Sequence, residues 1–131
     1  MARADQVFHA REALEKALGF CQTVRVGPTI YFSGLVSVDE HGNVRDPHDM
    51  AAQIRNIYTE LKDLLTTHGI TLEEVVKETI YATDVDALLA NAGVRLEMLA
   101  GAVPPAATWV EVRRLFKPEL LLEVDWIAHV P

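Results

Sequence analysis

The sequence predicts an α/β fold, a mixed sheet with two helices on one face. Two observations carry this. One long segment, Met50 to Leu65, repeats its apolar residues at helical spacing, and several short segments rich in β-branched and aromatic residues alternate in strand fashion. Turn and cap residues separate them into the order β-β-α-β-α-β-β. With 131 residues, the size is that of a single domain spanning 1–131. Half of the chain is hydrophobic, which is enough apolar material for a core.

The elements follow in order. Residues 6–9 fit a short edge strand, and the run from Arg11 to Ala17 suits either a loop or a helical turn. Phe20 to Val26 and Thr29 to Gly34 flank Gly27-Pro28, which reads as a hairpin turn. Asp39 to Asn43 reads as a loop. Asp46-Pro47 predicts a helix start, Asp as N-cap and Pro at the first helical position, where an N–H would be unpaired anyway. Met50, Ile54, Ile57, Tyr58, Leu61, Leu64 and Leu65 form its apolar stripe, and Gly69 ends it. Val75 to Ala82 reads as a strand, and Thr83-Asp84 caps a second helix over Val85 to Leu99, weakened by Gly93 and stopped by Pro104-Pro105. Thr108 to Val112 and Leu120 to Ala128 read as the last strands. Leu121, Leu122, Val124, Trp126 and Ile127 occupy both phases of the last one, as in a strand covered on both faces. Two helices cover one face, so the expected cover of the other is a further copy of the chain.

Composition narrows the function. The net charge of −7 opposes phosphate backbones and anionic lipid, so no nucleic-acid or membrane partner is expected, with Arg113-Arg114 as the best local basic patch. No stretch approaches the roughly 18 apolar residues of a membrane span. A single cysteine, Cys21, forbids an intrachain disulfide and fits a cytoplasmic location. The five histidines lack metal-ligand spacing and read as surface residues. Phosphate-binding glycine loops are absent from the sequence.

Cys21 shows no neighbouring base and reads as a small apolar residue rather than a nucleophile. Ser33 precedes Gly34 at a strand end, where a hydroxyl could face a cleft or simply serve a turn. Glu123 and Asp125 alternate with apolar residues and so share one face, and Glu111 lies in the preceding strand. Such acids either face solvent, pair with Arg113 or Arg114 across a hairpin, or hold a water for hydrolysis in a cleft.

Several segments in order resemble one family. They are Gly19 to Gly27, with Phe20, Cys21 and Gln22; Tyr31-Phe32-Ser33-Gly34; Ala52-Gln53-Ile54-Arg55-Asn56-Ile57; Val76 to Asp84; and Pro105-Ala106 through Val110-Glu111-Val112, Leu115 and Leu122-Glu123-Val124. Together they resemble the RidA/YjgF family of enamine and imine deaminases over about residues 19 to 128. The resemblance implies a chorismate-mutase-like, YjgF-type fold, and a homotrimer whose sheets form a central barrel with the helices outside. It implies a small-molecule ligand in a cleft between subunits, hydrolysis of an enamine or imine to a 2-keto acid and ammonia, and no metal or organic cofactor.

The chain departs from the pattern at the signature arginine that follows the Pro-Ala pair, where Ala107 stands. A methyl cannot replace bidentate Arg–carboxylate pairing. Phe20 stands where a tyrosine is usual, Leu35 where a glutamine follows Ser-Gly, and Trp109 where the residue is usually small. The implied site therefore has Glu123 and Ser33 as catalytic residues and Phe20, Leu35, Ala107, Thr108 and Trp109 lining the ligand. The implied activity is deamination of an enamine or imine other than 2-aminoacrylate, and the alternative is a non-catalytic ligand-binding or chaperone-like trimer.

Overall fold

The computed structural model describes residues 6–131. Its strands are β1 Val7–Phe8, β2 Thr23–Val26, β3 Thr29–Leu35, β4 Val75–Ala82, β5 Ala106–Glu111 and β6 Leu122–His129. They form one sheet in the order β1-β2-β3-β6-β4-β5. All neighbours are antiparallel except β4 and β5, which are parallel. A parallel pair needs a crossover, and here α3 Val85–Ala90 and α4 Ala92–Leu99 supply it. The long helix α2 is Met50–Thr67, and α1 Glu12–Leu18 resolves the ambiguous N-terminal run as helix. The mixed α/β architecture is as the sequence predicts.

The core lies between α2, α4 and one face of the sheet. In β6, Leu122, Val124, Trp126 and Ala128 are buried toward the helices. The stripe of α2 meets them with Ile54, Ile57, Leu61 and Leu65, all 1% exposed or less. Side chains of this size each contribute roughly 1.5–3 kcal/mol when fully buried. One polar network sits inside this layer. Glu78 of β4, 1% exposed, accepts from Tyr58 Oη at 2.6 Å, Trp126 Nε1 at 2.8 Å and Arg95 Nε at 2.9 Å. A buried carboxylate is tolerable when its lone pairs are filled in this way.

Three boundaries differ from expectation. Asp49, not Asp46, caps α2, its carboxylate accepting from Ala52 N at 3.0 Å. Asp46 has a positive φ of 52° and belongs to a turn before the helix, where its carbonyl accepts from the buried Gln53 amide. Asp84 does cap the second helix, accepting from Ala87 N at 3.1 Å, but that helix breaks at Asn91. There the backbone closes with an i to i−3 bond to Leu88 O, and Asn91 Nδ2 donates to Ala87 O. The last two strands are also not a hairpin, because β4 lies between them. Glu123 therefore has no partner across a hairpin, and Arg114 spends its guanidinium on Leu115 O and Phe116 O.

Away from the helices the sheet is open. The second phase of β6 carries Glu123, Asp125 and Ile127, so it is less apolar than the sequence suggested. Hydrophobic exposure on this face comes instead from Val7, Val26, Tyr31 and Val110, each 38–48% exposed. No helix among the described residues is long and apolar enough to cross a membrane.

Candidate functional site

The register of β3, β6, β4 and β5 places the chemistry on the open face. Phe32 pairs with Trp126 and Leu35 with Val124, so Ser33 and Gly34 together oppose Asp125. Two residues against one is a β-bulge. At this bulge the Glu123 carboxyl lies against Gly34: a Cβ there would come within 2.8 Å of its Cδ. Only glycine leaves room for the carboxylate in this position.

Glu123 is half-buried, and burial raises its pKa above the ordinary glutamate value, helped by the negative charge of Asp125. Asp125 accepts a hydrogen bond from Tyr81 Oη at 3.1 Å. Desolvation, together with that bond, raises the pKa of the Tyr81 phenol. Ser33 lies opposite Asp125 across the β3–β6 register, but its Oγ donates to Cys21 O at 2.6 Å. The hydroxyl therefore ties β3 to the segment that carries Phe20, which is 39% exposed.

The remaining expected residues divide between the two faces. Thr108 pairs with Thr79 and shares the open face, where its Oγ1 accepts from Lys77 Nζ at 2.8 Å. Ala107 pairs with Glu78, and Trp109 with Ile80, which puts both on the helix side of β5. Trp109 lies under the Arg95 guanidinium, 5.5 Å from the ring centroid, and its Nε1 is buried without a partner. Leu35 is 2% exposed and belongs to the core beneath the helices. Within one chain, then, Glu123, Ser33 and Thr108 share a face, while Leu35, Ala107 and Trp109 lie on the other.

Lys77, Tyr81 and Gly34 were not singled out from sequence. Strand alternation in Val75–Ala82 was a usable signal for Lys77 and Tyr81, although a register shift between Val75 and Lys77 obscures its phase. A surface cleft of about 380 Å³, lined by Arg11, Asp39, Arg45 and Glu60 among others, holds none of the expected site residues. Arg11 is already consumed there by Glu60, at 2.7 and 2.8 Å, and by the carbonyls of Val38 and Asp39.

Comparison with known proteins agrees with this architecture. A Mycobacterium tuberculosis member of the YjgF/YER057c/UK114 family superposes with a TM-score of 0.81 at 28% identity, covering 95% of this chain and 98% of that one. The YjgF gene product of E. coli gives 0.75 at 28% identity, covering 84% and 87%. E. coli TdcF, solved with bound serine, gives 0.77 at 25% identity, covering 86% and 88%. The model of the family described as Endoribonuclease L-PSP matches residues 10–130. A match along nearly the whole chain, together with the shared sheet, shows that this protein belongs to the Endoribonuclease L-PSP family, the RidA/YjgF group.

Proposed function

We propose that this protein is a hydrolytic deaminase of an enamine or imine other than 2-aminoacrylate. It acts as a homotrimer of 131-residue domains in the cytoplasm, each cleft being completed by a neighbouring copy. The observation that carries the reading is Glu123, a half-buried carboxylate with a raised pKa on the open sheet face. A general base works best with its pKa near the working pH, and burial moves Glu123 in that direction. In the proposed reaction Glu123 takes a proton from water as the oxygen attacks the C=N carbon. The proton passes to nitrogen, the carbinolamine collapses, and ammonia leaves to give the carbonyl compound. Ser33 holds the strand in place through Cys21, Phe20 and Thr108 border the ligand in the assembled cleft, and Leu35, Ala107 and Trp109 stand behind the sheet on its helix side.

Ala107 argues against 2-aminoacrylate, because loss of a charge-assisted bidentate contact costs on the order of 1.5–3 kcal/mol. The family's description names RNA cleavage. A net charge of −7 and an acid pair on the open face do not favour a phosphate-backbone substrate. A second reading, a ligand-binding or chaperone-like trimer without catalysis, is favoured by one observation: the Ser33 hydroxyl already donates its proton to Cys21 O and has none left to donate to a water or ligand.

A panel of imines formed in situ by amino-acid and amine oxidases separates the readings. The expected result is turnover of at least one imine well above background, little pyruvate from 2-aminoacrylate, and a loss of roughly 10²-fold or more in Glu123→Gln. Background rates across the panel would establish the second reading, and unchanged turnover in Glu123→Gln would remove that residue from the chemistry.

A further inference from the structure

The two carboxylates of the open face are neighbours that β6 alone would bring together. Glu123 and Asp125 are two residues apart on one face of the strand, about 7 Å between their backbones. Carboxyls that reach each other do not ionise independently: they share one proton and titrate as a pair. A carboxylate in such a pair has a lone pair committed to its neighbour rather than to water. Here the fold separates them. Glu123 lies toward β3, its carboxyl against Gly34. Asp125 is tied from β4, accepting from Tyr81 Oη at 3.1 Å. Tyr81 is itself opposite Glu123 in the β4–β6 register, so its hydroxyl makes that bond diagonally. Glu123 has no hydrogen-bond or ion-pair partner among the described residues, and burial and the charge of Asp125 act on it alone. No other charge intervenes among the described residues. Lys77 of β4 lies beyond Asp125, beside Ile127, and turns its Nζ to Thr108 Oγ1 of β5 at 2.8 Å. The nearest β5 residue is Val110, opposite Tyr81. On β3 the neighbours are Ser33 and Gly34, then Tyr31 beside Ile127, with His129 at the far end opposite Thr29.

We propose that Tyr81 is the positioning residue of this site: its hydroxyl holds Asp125 apart from Glu123, so that Glu123 alone is left open to a water. The inference deepens the deaminase reading and rests on it for its chemistry, though not for its geometry. Tyr81 acts through Asp125 and not on the reacting atoms. With the hydroxyl in place, the two acids have separate tasks. Asp125 is a fixed charge beside the C=N group, where positive charge develops as nitrogen is protonated, and Glu123 receives the proton of the attacking water. Without the hydroxyl, Asp125 turns to Glu123, and the proton they share occupies the lone pair that the water needs. The ring of Tyr81 supplies packing and the hydroxyl supplies the division, so Tyr81→Phe keeps the first and removes the second.

The test follows the Glu123 carboxyl carbon by NMR in isotope-labelled wild type, Tyr81→Phe and the double variant Tyr81→Phe with Asp125→Ala. The signal is assigned by its loss in Glu123→Gln. Wild type should show one titration step for this carbon. Tyr81→Phe should show two, with the upper midpoint raised by about one pH unit or more, as for a pair that titrates together. Asp125→Ala in the same background should return a single step. One step at the wild-type midpoint in Tyr81→Phe would overturn the inference, even if the variant melts lower, because Tyr81 would then serve packing alone. Two steps that survive the loss of Asp125 would overturn it as well. Turnover is read on the same samples with the imine panel. On any imine that the wild type hydrolyses, Tyr81→Phe should move the acid limb of the kcat profile upward by the same interval and leave KM within about two-fold. A limb that does not move would remove Tyr81 from the chemistry while leaving the deaminase reading intact. If the wild type hydrolyses no imine, the deaminase reading falls, and the carboxyl titration alone decides on Tyr81: two steps in Tyr81→Phe uphold its hold on Asp125, and one step removes it.

Discussion

Glu123 holds its proton more tightly in the folded chain than in the unfolded one, because burial and Asp125 both oppose its charge. The sign of the resulting pH dependence follows. Between the ordinary glutamate value and the raised folded value, the native state binds more protons than the unfolded state, so stability falls as pH rises through that window and is level above it. Glu123→Gln removes this penalty. The variant should melt higher than wild type at pH 7, and the difference should close as pH falls below the ordinary glutamate range. Thermal unfolding of both proteins from pH 4 to 8 checks this, and a variant that melts lower at pH 7 would mean that Glu123 has an attractive partner instead. At this scale the sequence was partly legible. The alternation Leu122-Glu123-Val124-Asp125 already put both acids on one face, and the structure agrees. It could not show that Lys77 meets Thr108, because that pair exists only through the parallel register of β4 with β5, fixed by a crossover of more than 20 residues.

Helix boundaries show a different limit. Asp46-Pro47 has the chemistry of a helix start, yet the cap falls on Asp49, because the positive φ of Asp46 turns the chain before α2 begins. Two aspartates three residues apart are equally good caps on paper, and the choice between them is made by Gln53. That side chain is fully buried, donating to Asp46 O and Glu119 O and accepting from Leu121 N, which pins the first turn of α2 to the chain entering β6. Asp49→Ala should therefore cost about 1 kcal/mol, as loss of a carboxylate N-cap does. Denaturant unfolding measures it, and a cost near zero would show that the turn around Asp46 holds the helix start by itself. The break at Asn91 was hidden for a similar reason. Leu88, Ala92 and Leu99 keep one apolar phase across it, so periodicity reads through an interruption that a single side-chain amide creates.

For the molecule as a whole, the open face is the unresolved surface of a single chain. Tyr31 and Val26 are each 48% exposed there, and the half-buried Glu123 lies farther along the same face. A homotrimer that covers this face should give three chain masses in light scattering at micromolar concentration, and a monomer would remove both the assembly and the shared cleft. The overall architecture was legible because the stripe of α2 and the strand runs are strong local signals. The arrangement of strands was less so: β6, the last strand in the chain, sits between β3 and β4 at the centre of the sheet. The β1–β3 ladder and the β4–β5 pair share no strand-to-strand hydrogen bonds except through it. During synthesis from the N-terminus, both groups of strands emerge from the ribosome before the piece that joins them. Each carries an unpaired inner edge until residues 122–129 are released, and such edges recruit other chains. The closing step of folding thus waits for residues 122–129, when α2 and its Gln53 anchor are already available to receive this strand.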